Sequence, residues 1–240
     1  FERPGLHASI GAKGVYDSTN GKLPADIKAS RSTTPELSGI YSNTTADGKF
    51  GVALTGSYQE RNLGYNSAAV SNGWRGPFRG DENNWGTIAQ PGTPGAANIT
   101  NRPGPTDLYS VPQNLNYNFN GVKRQRTNAQ LTLQFKPVDT LVTTLDYTYS
   151  ENKIQTKRND VSAWFNFGDS ASSWTKGPVS SPLMYKEFVA NSDIAMGAAD
   201  FATKTQNKSV GFNAVWKPTP DLRFELDTHR STATSGADSP

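Results

Sequence analysis

The chain contains no cysteine among its 240 residues. This excludes a fold stapled by disulfides and any metal site built on thiolates. No stretch approaches the ~18–20 consecutive apolar residues of a membrane-spanning helix, which excludes an α-helical membrane protein. A membrane β-strand needs an apolar residue only at every second position, so the mean hydropathy of −0.63 is compatible with a β-barrel.

Several chemical signals are also missing. The two histidines, His7 and His229, are far apart in sequence and give no metal-ligand spacing. There is no phosphate loop, nucleophile elbow or zinc motif. The net charge of +3 is too small to indicate a nucleic-acid partner. We therefore expect no catalytic residues, no metal, no cofactor and no nucleic acid, and we do not expect an enzyme.

Apolar and polar residues alternate with a period of two in seven segments, as in strands with one apolar face. The apolar members are, in chain order, Leu6, Ala8, Ile10, Ala12 and Tyr16; Leu37, Gly39 and Tyr41; Phe50, Val52, Leu54 and Tyr58; Ala129, Leu131, Leu133 and Phe135; Leu141, Leu145, Tyr147 and Tyr149; Val210, Phe212, Ala214 and Trp216; and Leu222, Phe224 and Leu226. Several segments are about 10 residues long or longer. That length favours tilted membrane strands over the ~5–6-residue strands of soluble proteins.

Short and long connections alternate between these strands. The short turns span 46–49, 137–140 and 218–221, and the long segments span 17–34, 62–122 and 158–204. One edge of the sheet then carries only tight turns and the other carries every long loop, as in outer-membrane barrels. The pattern predicts an all-β, antiparallel transmembrane β-barrel segment with long extracellular loops and short periplasmic turns.

Two hairpins repeat one design, because Gln130–Pro137 and Gly211–Pro218 both end in aromatic-Lys-Pro before a short turn. An aromatic residue at the membrane interface, a lysine at the water edge and a proline at the turn suit a barrel hairpin. We predict a periplasmic aromatic girdle containing Phe135 and Trp216, and an outer girdle containing Tyr58, Tyr147 and Tyr149.

The hairpins over 38–61, 123–150 and 209–231 resemble barrel segments of TonB-dependent receptors. The resemblance rests on Asp47–Gly51 leading into Ser57–Arg61, on Lys123–Thr127 and on Phe135–Asp139. It covers about a third of the chain and is strongest with receptors for oligosaccharide uptake. It implies a barrel of about 22 strands, an N-terminal plug, and energy from an inner-membrane complex acting through TonB. We therefore expect residues 1–240 to be a partial barrel domain without the plug or the C-terminal strands. The sequence begins at Phe1 with neither an initiator Met nor a signal peptide, which favours an internal fragment.

The predicted facing assigns roles to the strand residues. We expect lipid contact from the apolar face, through Leu131, Leu133, Leu145, Phe212 and Phe224. We expect the lumen wall on the opposite face, formed by Lys13, Gln59, Arg61, Arg124, Arg126, Asp146, Glu225, Asp227 and His229. Lys123 and Arg124 near the outer rim are candidates for pairing with lipopolysaccharide phosphates, with simple solvation as the alternative.

The long loops contain four tryptophans whose rings could stack on sugars if they are exposed, namely Trp74, Trp85, Trp164 and Trp174. Arg61 and Arg126 are further candidates for substrate binding. The alternative interpretation is that the tryptophans pack the loops together and the arginines pair within the lumen. The leading functional hypothesis is an active outer-membrane importer of an oligosaccharide. Its expected partners are outer-membrane lipid and lipopolysaccharide, the TonB complex and a surface lipoprotein.

Three other functions are compatible with the same sequence pattern. A siderophore or cobalamin receptor has the same fold, since the loops decide the cargo. A passive porin-like barrel lacks the plug and the TonB box. A secreted all-β sugar-binding module is soluble without detergent, but it leaves the alternation of short and long connections unexplained.

Overall fold

The computed structural model describes residues 4–188 and 193–238, and this part of the chain is all-β. It contains two short 3-10 helices, Asn20–Lys22 and Pro94–Asn98, and no α-helix. Across these described ranges no helix has the length and apolarity to cross a membrane. The strands are β1 (His7–Tyr16), β2 (Thr33–Thr44), β3 (Phe50–Ala69), β4 (Trp74–Arg79), β5 (Ile99–Thr100), β6 (Leu108–Pro112), β7 (Asn114–Val138), β8 (Leu141–Trp164), β9 (Ser170–Trp174), β10 (Val179–Ser180), β11 (Pro182–Glu187), β12 (Asp193–Thr219) and β13 (Leu222–Ala237).

Seven strands form one antiparallel sheet in the order β1-β2-β3-β7-β8-β12-β13. Strands β2 and β3, β7 and β8, and β12 and β13 are joined by short turns, and the other connections in the sheet are long. In the described residues, β1 and β13 form the two edges of this sheet. The predicted all-β class and the seven antiparallel strands are therefore confirmed.

The turn between β2 and β3 has the chemistry expected of a tight hairpin. Gly48 has a φ of +66°, a conformation that glycine adopts without steric cost. The Asp47 carboxylate accepts hydrogen bonds from the Thr45 hydroxyl at 2.6 Å and the Lys49 amide at 3.1 Å. These bonds favour the ionised form and lower the pKa of Asp47, the Thr45 bond most.

The predicted bounds of the long loops were wrong, because four strands continue well beyond their predicted ends into these segments. Strand β3 reaches Ala69, β7 begins at Asn114, β8 reaches Trp164 and β12 begins at Asp193. Polar side chains are frequent on both faces of these extensions, so the period-two pattern disappears although the backbone pairing continues. The predicted loop over 158–204 also includes 189–192, which lie outside the described residues.

The chain divides into two compact units. The first comprises 1–65, 120–157 and 199–240, and it contains the turn-proximal parts of the large sheet. The second comprises 66–119 and 158–198, and it contains two small sheets of three strands, β10-β6-β4 and β11-β9-β5. The long connections thus fold into structure of their own.

Candidate functional site

The apolar residues of the predicted alternating rows share one face of the large sheet. Thr132 bonds Asp146 and Asn128 bonds Ser150 across β7 and β8, which places these polar partners on the opposite face. Because neighbouring residues in a strand point to opposite faces, the five predicted lipid-facing residues share the other face. They are Leu131, Leu133, Leu145, Phe212 and Phe224. The last three are 43%, 37% and 51% exposed, an unusual exposure for side chains in an aligned apolar row.

The apolar rows do not end at the same level across the sheet. On β1 the apolar row continues to Tyr16, which pairs with Thr33 of β2. On β3 the row ends at Tyr58, which pairs with Leu37 of β2, four residues closer to the short turn. On β13 the row ends at Leu226, opposite Ala214, although β12 itself stays apolar as far as Val210. The ends of the apolar rows that lie away from the short turns therefore come closer to those turns from β1 to β13. The band of apolar residues thus runs obliquely to the strands.

The residues predicted for the periplasmic girdle lie beside the short turns. Phe135 is 49% exposed near the end of β7, and Trp216 is 47% exposed near the end of β12. Trp216 stacks on Phe224, with ring centroids 5.5 Å apart and an interplanar angle of 24°. Each aromatic ring thus terminates an apolar row at the turn side.

Two side-chain triads with the same arrangement terminate the rows on the opposite side. Their members are Tyr58, Glu60 and Gln125 in one, and Tyr149, Glu151 and Gln206 in the other. The tyrosine hydroxyl donates to the glutamate two residues later, at 3.3 and 2.9 Å. The glutamine amide of the neighbouring strand donates to both the glutamate and the tyrosine oxygen. This repeat was not predicted, although the shared Tyr-x-Glu spacing is visible in the sequence.

Tyr147 differs from the other two predicted outer-girdle tyrosines. It lies two residues before Tyr149 on the same face, toward the short turn, and is 41% exposed. Its position is therefore inside the apolar row rather than at the end of it.

The opposite face of the sheet is polar, and it contains the predicted lumen-wall residues. Glu36 accepts a hydrogen bond from Gln59 at 3.3 Å and forms ion pairs with Arg61 at 3.2 Å and Lys13 at 4.0 Å. Arg126 lies on this face and is exposed. Arg61 is thus engaged by Glu36, as the alternative of pairing within the lumen wall proposed.

The second unit is built on a core of its own. The buried residues are Phe78, Ile88, Tyr109, Val111 and Trp174, with Ile99, Phe167 and Tyr185 packed against them. The Tyr109 hydroxyl accepts a hydrogen bond from the Ile88 amide at 3.0 Å, and its ring meets the edge of the Trp174 ring at 5.1 Å. Burial raises the pKa of Tyr109.

Trp174 is completely buried and donates its indole N–H to the Ser172 hydroxyl at 2.9 Å. It lies in β9, not in a loop, and its ring is not accessible to a ligand. Trp174 is therefore removed from the substrate-binding set, and its role is to pack the core. Composition could not separate it from the other tryptophans, because all four lie in polar, glycine- and serine-rich sequence.

Trp85 remains accessible, although its ring already has two partners. The Arg75 guanidinium lies 4.1 Å from the Trp85 ring centroid, and Phe167 contacts the ring edge-on at 5.0 Å. Arg75 also donates to the Trp85 carbonyl at 3.0 Å. Trp85 is nevertheless 64% exposed, so part of its surface is free for a ligand.

Trp74 lies beside a groove of about 420 Å³ in the second unit. Trp74 is 50% exposed and Leu108 is 39% exposed. The remaining lining comes from Pro77, Tyr109, Ser110, Val179, Ser180, Ser181 and Pro182. Among the described residues no Asp, Glu, Lys, Arg or His side chain lines this groove, so it combines an aromatic surface and hydroxyl groups without a formal charge.

Trp164 is the last residue of β8 and is 39% exposed. It is not part of the groove beside Trp74. The groove therefore contains one of the four predicted tryptophans, because Trp174 is in the core and neither Trp85 nor Trp164 lines the groove.

Arg102 is a structural residue that sequence analysis missed. Its guanidinium donates to the carbonyl oxygens of Ala89 and Gly80 and to the Gln90 side chain. Burial lowers the pKa of Arg102. One arginine thus fastens several turns of the second unit, and nothing in its sequence context distinguishes it from other loop arginines.

Comparison with known protein families, with curated proteins and with solved structures found no match for this chain. Within residues 4–188 and 193–238, no group of three or more His, Asp or Glu side chains is placed to hold a metal ion.

Proposed function

We propose that this chain forms part of the barrel wall of an outer-membrane TonB-dependent receptor that imports an oligosaccharide. The observation that carries the proposal is the oblique apolar band. Strands of such barrels cross the membrane tilted by ~35–45°, so a lipid-facing band must run obliquely to them. A soluble sandwich has no such requirement, and it would cover this face with a second sheet.

The placement of the connections supports the same proposal. The three short turns join β2 to β3, β7 to β8 and β12 to β13, so all of them lie at one end of the antiparallel sheet. The long connections join the opposite ends of these strands, and most of their residues belong to a unit that has its own core. Short periplasmic turns and elaborate external loops are typical of outer-membrane barrels.

The groove beside Trp74 supports a carbohydrate as the cargo class. Its aromatic surface suits the C–H face of a pyranose ring, and the hydroxyls of Ser110 and Ser181 suit sugar hydroxyls. Among the residues that the structure describes, none that lines the groove has a charge to complement an anionic siderophore. A neutral oligosaccharide is therefore the ligand we propose, over the siderophore and cobalamin alternatives.

Import by such a receptor requires partners beyond the barrel wall. The lipid bilayer and lipopolysaccharide would contact the apolar face, and the TonB complex would act through a plug. A surface lipoprotein would cover the loops in the oligosaccharide-uptake subgroup. These partners follow from the proposed class of receptor.

The function is tested by uptake of a labelled neutral oligosaccharide into cells that express the intact protein. The proposal predicts uptake that disappears when a protonophore collapses the proton gradient or when TonB is deleted. Uptake that persists under both treatments would support a passive porin. A protein released from cells in soluble form without detergent would support the secreted sugar-binding alternative.

A further inference from the structure

The outward face of the large sheet contains a polar pocket beyond the end of its apolar rows. The pocket has a volume of about 180 Å³ and lies entirely within the first unit. Its lining residues are Lys123, Gln125, Lys153, Ile154, Gln155, Ala202 and Asp238. It therefore brings two ammonium groups and two carboxamides from β7 and β8 to one place.

The pocket belongs to the face of the apolar band. Gln125 donates to the hydroxyl of Tyr58, the last ring of the apolar row on β3. Lys153 follows Tyr149 by four residues on β8, so the two side chains share a face. Four residues span roughly 13 Å along a strand, or roughly 10 Å along the membrane normal at a tilt of ~40°.

The charges around the pocket are unevenly satisfied. On this surface Arg31 pairs with Glu60 at 3.3 Å, and Lys204 pairs with Glu151 at 3.2 Å. Lys153 is 3.7 Å from Asp238. Within the described residues, the Lys123 side chain forms no ion pair within 4.0 Å and no hydrogen bond. Two ammonium groups and one carboxylate line the pocket. Lys123 also interacts electrostatically with Glu60, whose carboxylate is paired by Arg31, and Asp200 beside Gln155 is paired by Lys157.

We propose that this pocket binds the phosphate group of a membrane lipid headgroup, an inference that rests on the proposed membrane location of the apolar face. Lysine binds phosphate as a point charge, so Lys123 and Lys153 are the groups that would hold it. The amides of Gln125 and Gln155 already donate to the carboxylates of Glu60 and Asp200. A phosphate held here would sit just outside the hydrocarbon layer, while the lipid chains would continue along the apolar rows. A free phosphate ion would have no use for that apolar continuation.

Lys123 and Arg124, the two residues predicted to pair with lipopolysaccharide phosphates, do not lie side by side. The two residues are consecutive in β7, so their side chains point to opposite faces of the sheet. Lys123 lines the pocket, whereas Arg124 shares the polar face with Arg126. The lysine that acts together with Lys123 is Lys153, from the neighbouring strand.

The test compares binding of diphosphoryl lipid A to the detergent-solubilised intact protein and its variants by native mass spectrometry. The double variant Lys123→Gln/Lys153→Gln should bind at least tenfold more weakly, and Lys123→Arg/Lys153→Arg should retain binding. Arg124→Gln is the matched control on the opposite face and should bind like the unmodified protein. A glycolipid without phosphate should bind weakly to every variant.

Three results would overturn the proposal. One is undiminished lipid binding by the double glutamine variant, and another is an equal loss in Arg124→Gln. The third is competition by inorganic phosphate at the concentration of the lipid, which would identify a free-phosphate site. Insertion of each variant into vesicles is followed in parallel by heat-modifiable electrophoretic mobility. If the double glutamine variant loses lipid binding but still inserts into vesicles, the two lysines act in lipid binding and not in barrel assembly. An unmodified protein that never enters bilayers overturns the proposed function and this inference together.

Discussion

The Thr132 hydroxyl donates a hydrogen bond to the Asp146 carboxylate at 2.5 Å across strands β7 and β8. The bond places both residues on the polar face of the sheet, and so it places Leu133 and Leu145 on the other face. A slip of one residue in either strand would reverse this arrangement along its whole length. The pair therefore fixes the register on which the proposed lipid-facing surface depends.

Leu145→Arg is expected to lower the free energy of unfolding in bilayers by ~2–4 kcal/mol, because it places a charge near the bilayer midplane. Thr148→Arg is the matched control, since Thr148 is exposed on the polar face of the same strand. Urea titration of the protein folded in vesicles measures both changes. Equal effects of the two substitutions would contradict the assignment of the faces.

Trp174→Ala is expected to cost about 3–5 kcal/mol, because it removes a fully buried ring from the core of the second unit. Limited proteolysis of the intact protein should then cut within 66–119 and 158–198 much faster. Trp164→Ala removes a partly exposed ring and should change the cutting rate little. A stable second unit in Trp174→Ala would mean that this core does not organise the loops.

Much of the large sheet was predictable from the sequence, because each strand alternates where one face is apolar. The strand extensions were not predictable, since Asn118 and Ser67 pair with each other by hydrogen bonding without any apolar alternation. Burial of Trp174 depends on Tyr109 and Phe78 arriving from distant segments. The groove beside Trp74 likewise requires β4, β6 and β10 to be brought together, which no local pattern encodes.

Trp74→Ala is expected to weaken binding of a neutral oligosaccharide about tenfold, equivalent to ~1.4 kcal/mol. The loss follows from removing the exposed aromatic surface of the groove. Isothermal titration calorimetry of the detergent-solubilised protein measures the dissociation constant. Trp164→Ala, outside the groove, is the control. Unchanged binding in Trp74→Ala would move the sugar site elsewhere in the loops.

Alkaline pH is expected to destabilise the second unit. Burial raises the pKa of Tyr109, so the tyrosine of the unfolded chain ionises first as the pH rises above ~10. The stabilisation by neutral Tyr109 is complete below that pH and is lost as the pH rises toward the higher pKa of the folded state. Hydrogen exchange of the amides in 66–119 measures the loss.

Tyr109→Phe provides the control for this pH dependence. It should cost about 1–3 kcal/mol at neutral pH, because the buried Ile88 amide loses its acceptor. Its further destabilisation above pH ~10 should be smaller than in the unmodified protein. The raised pKa of partly buried Tyr185, caused mainly by desolvation, leaves a residual alkaline effect. Identical pH profiles for the two proteins would exclude Tyr109 as a source of the alkaline loss.

Contact between lipid and one face of the large sheet is tested most directly by the oxygen accessibility of nitroxide labels. The chain has no cysteine, so single cysteines introduced at 129–136 of β7 can be labelled one at a time in the protein reconstituted into bilayers. We predict a period of two, with oxygen collisions highest at Leu131, Leu133 and Phe135 and nickel-complex collisions highest at Gln130, Thr132 and Gln134. Accessibility without this alternation, or with the opposite phase, would contradict the account.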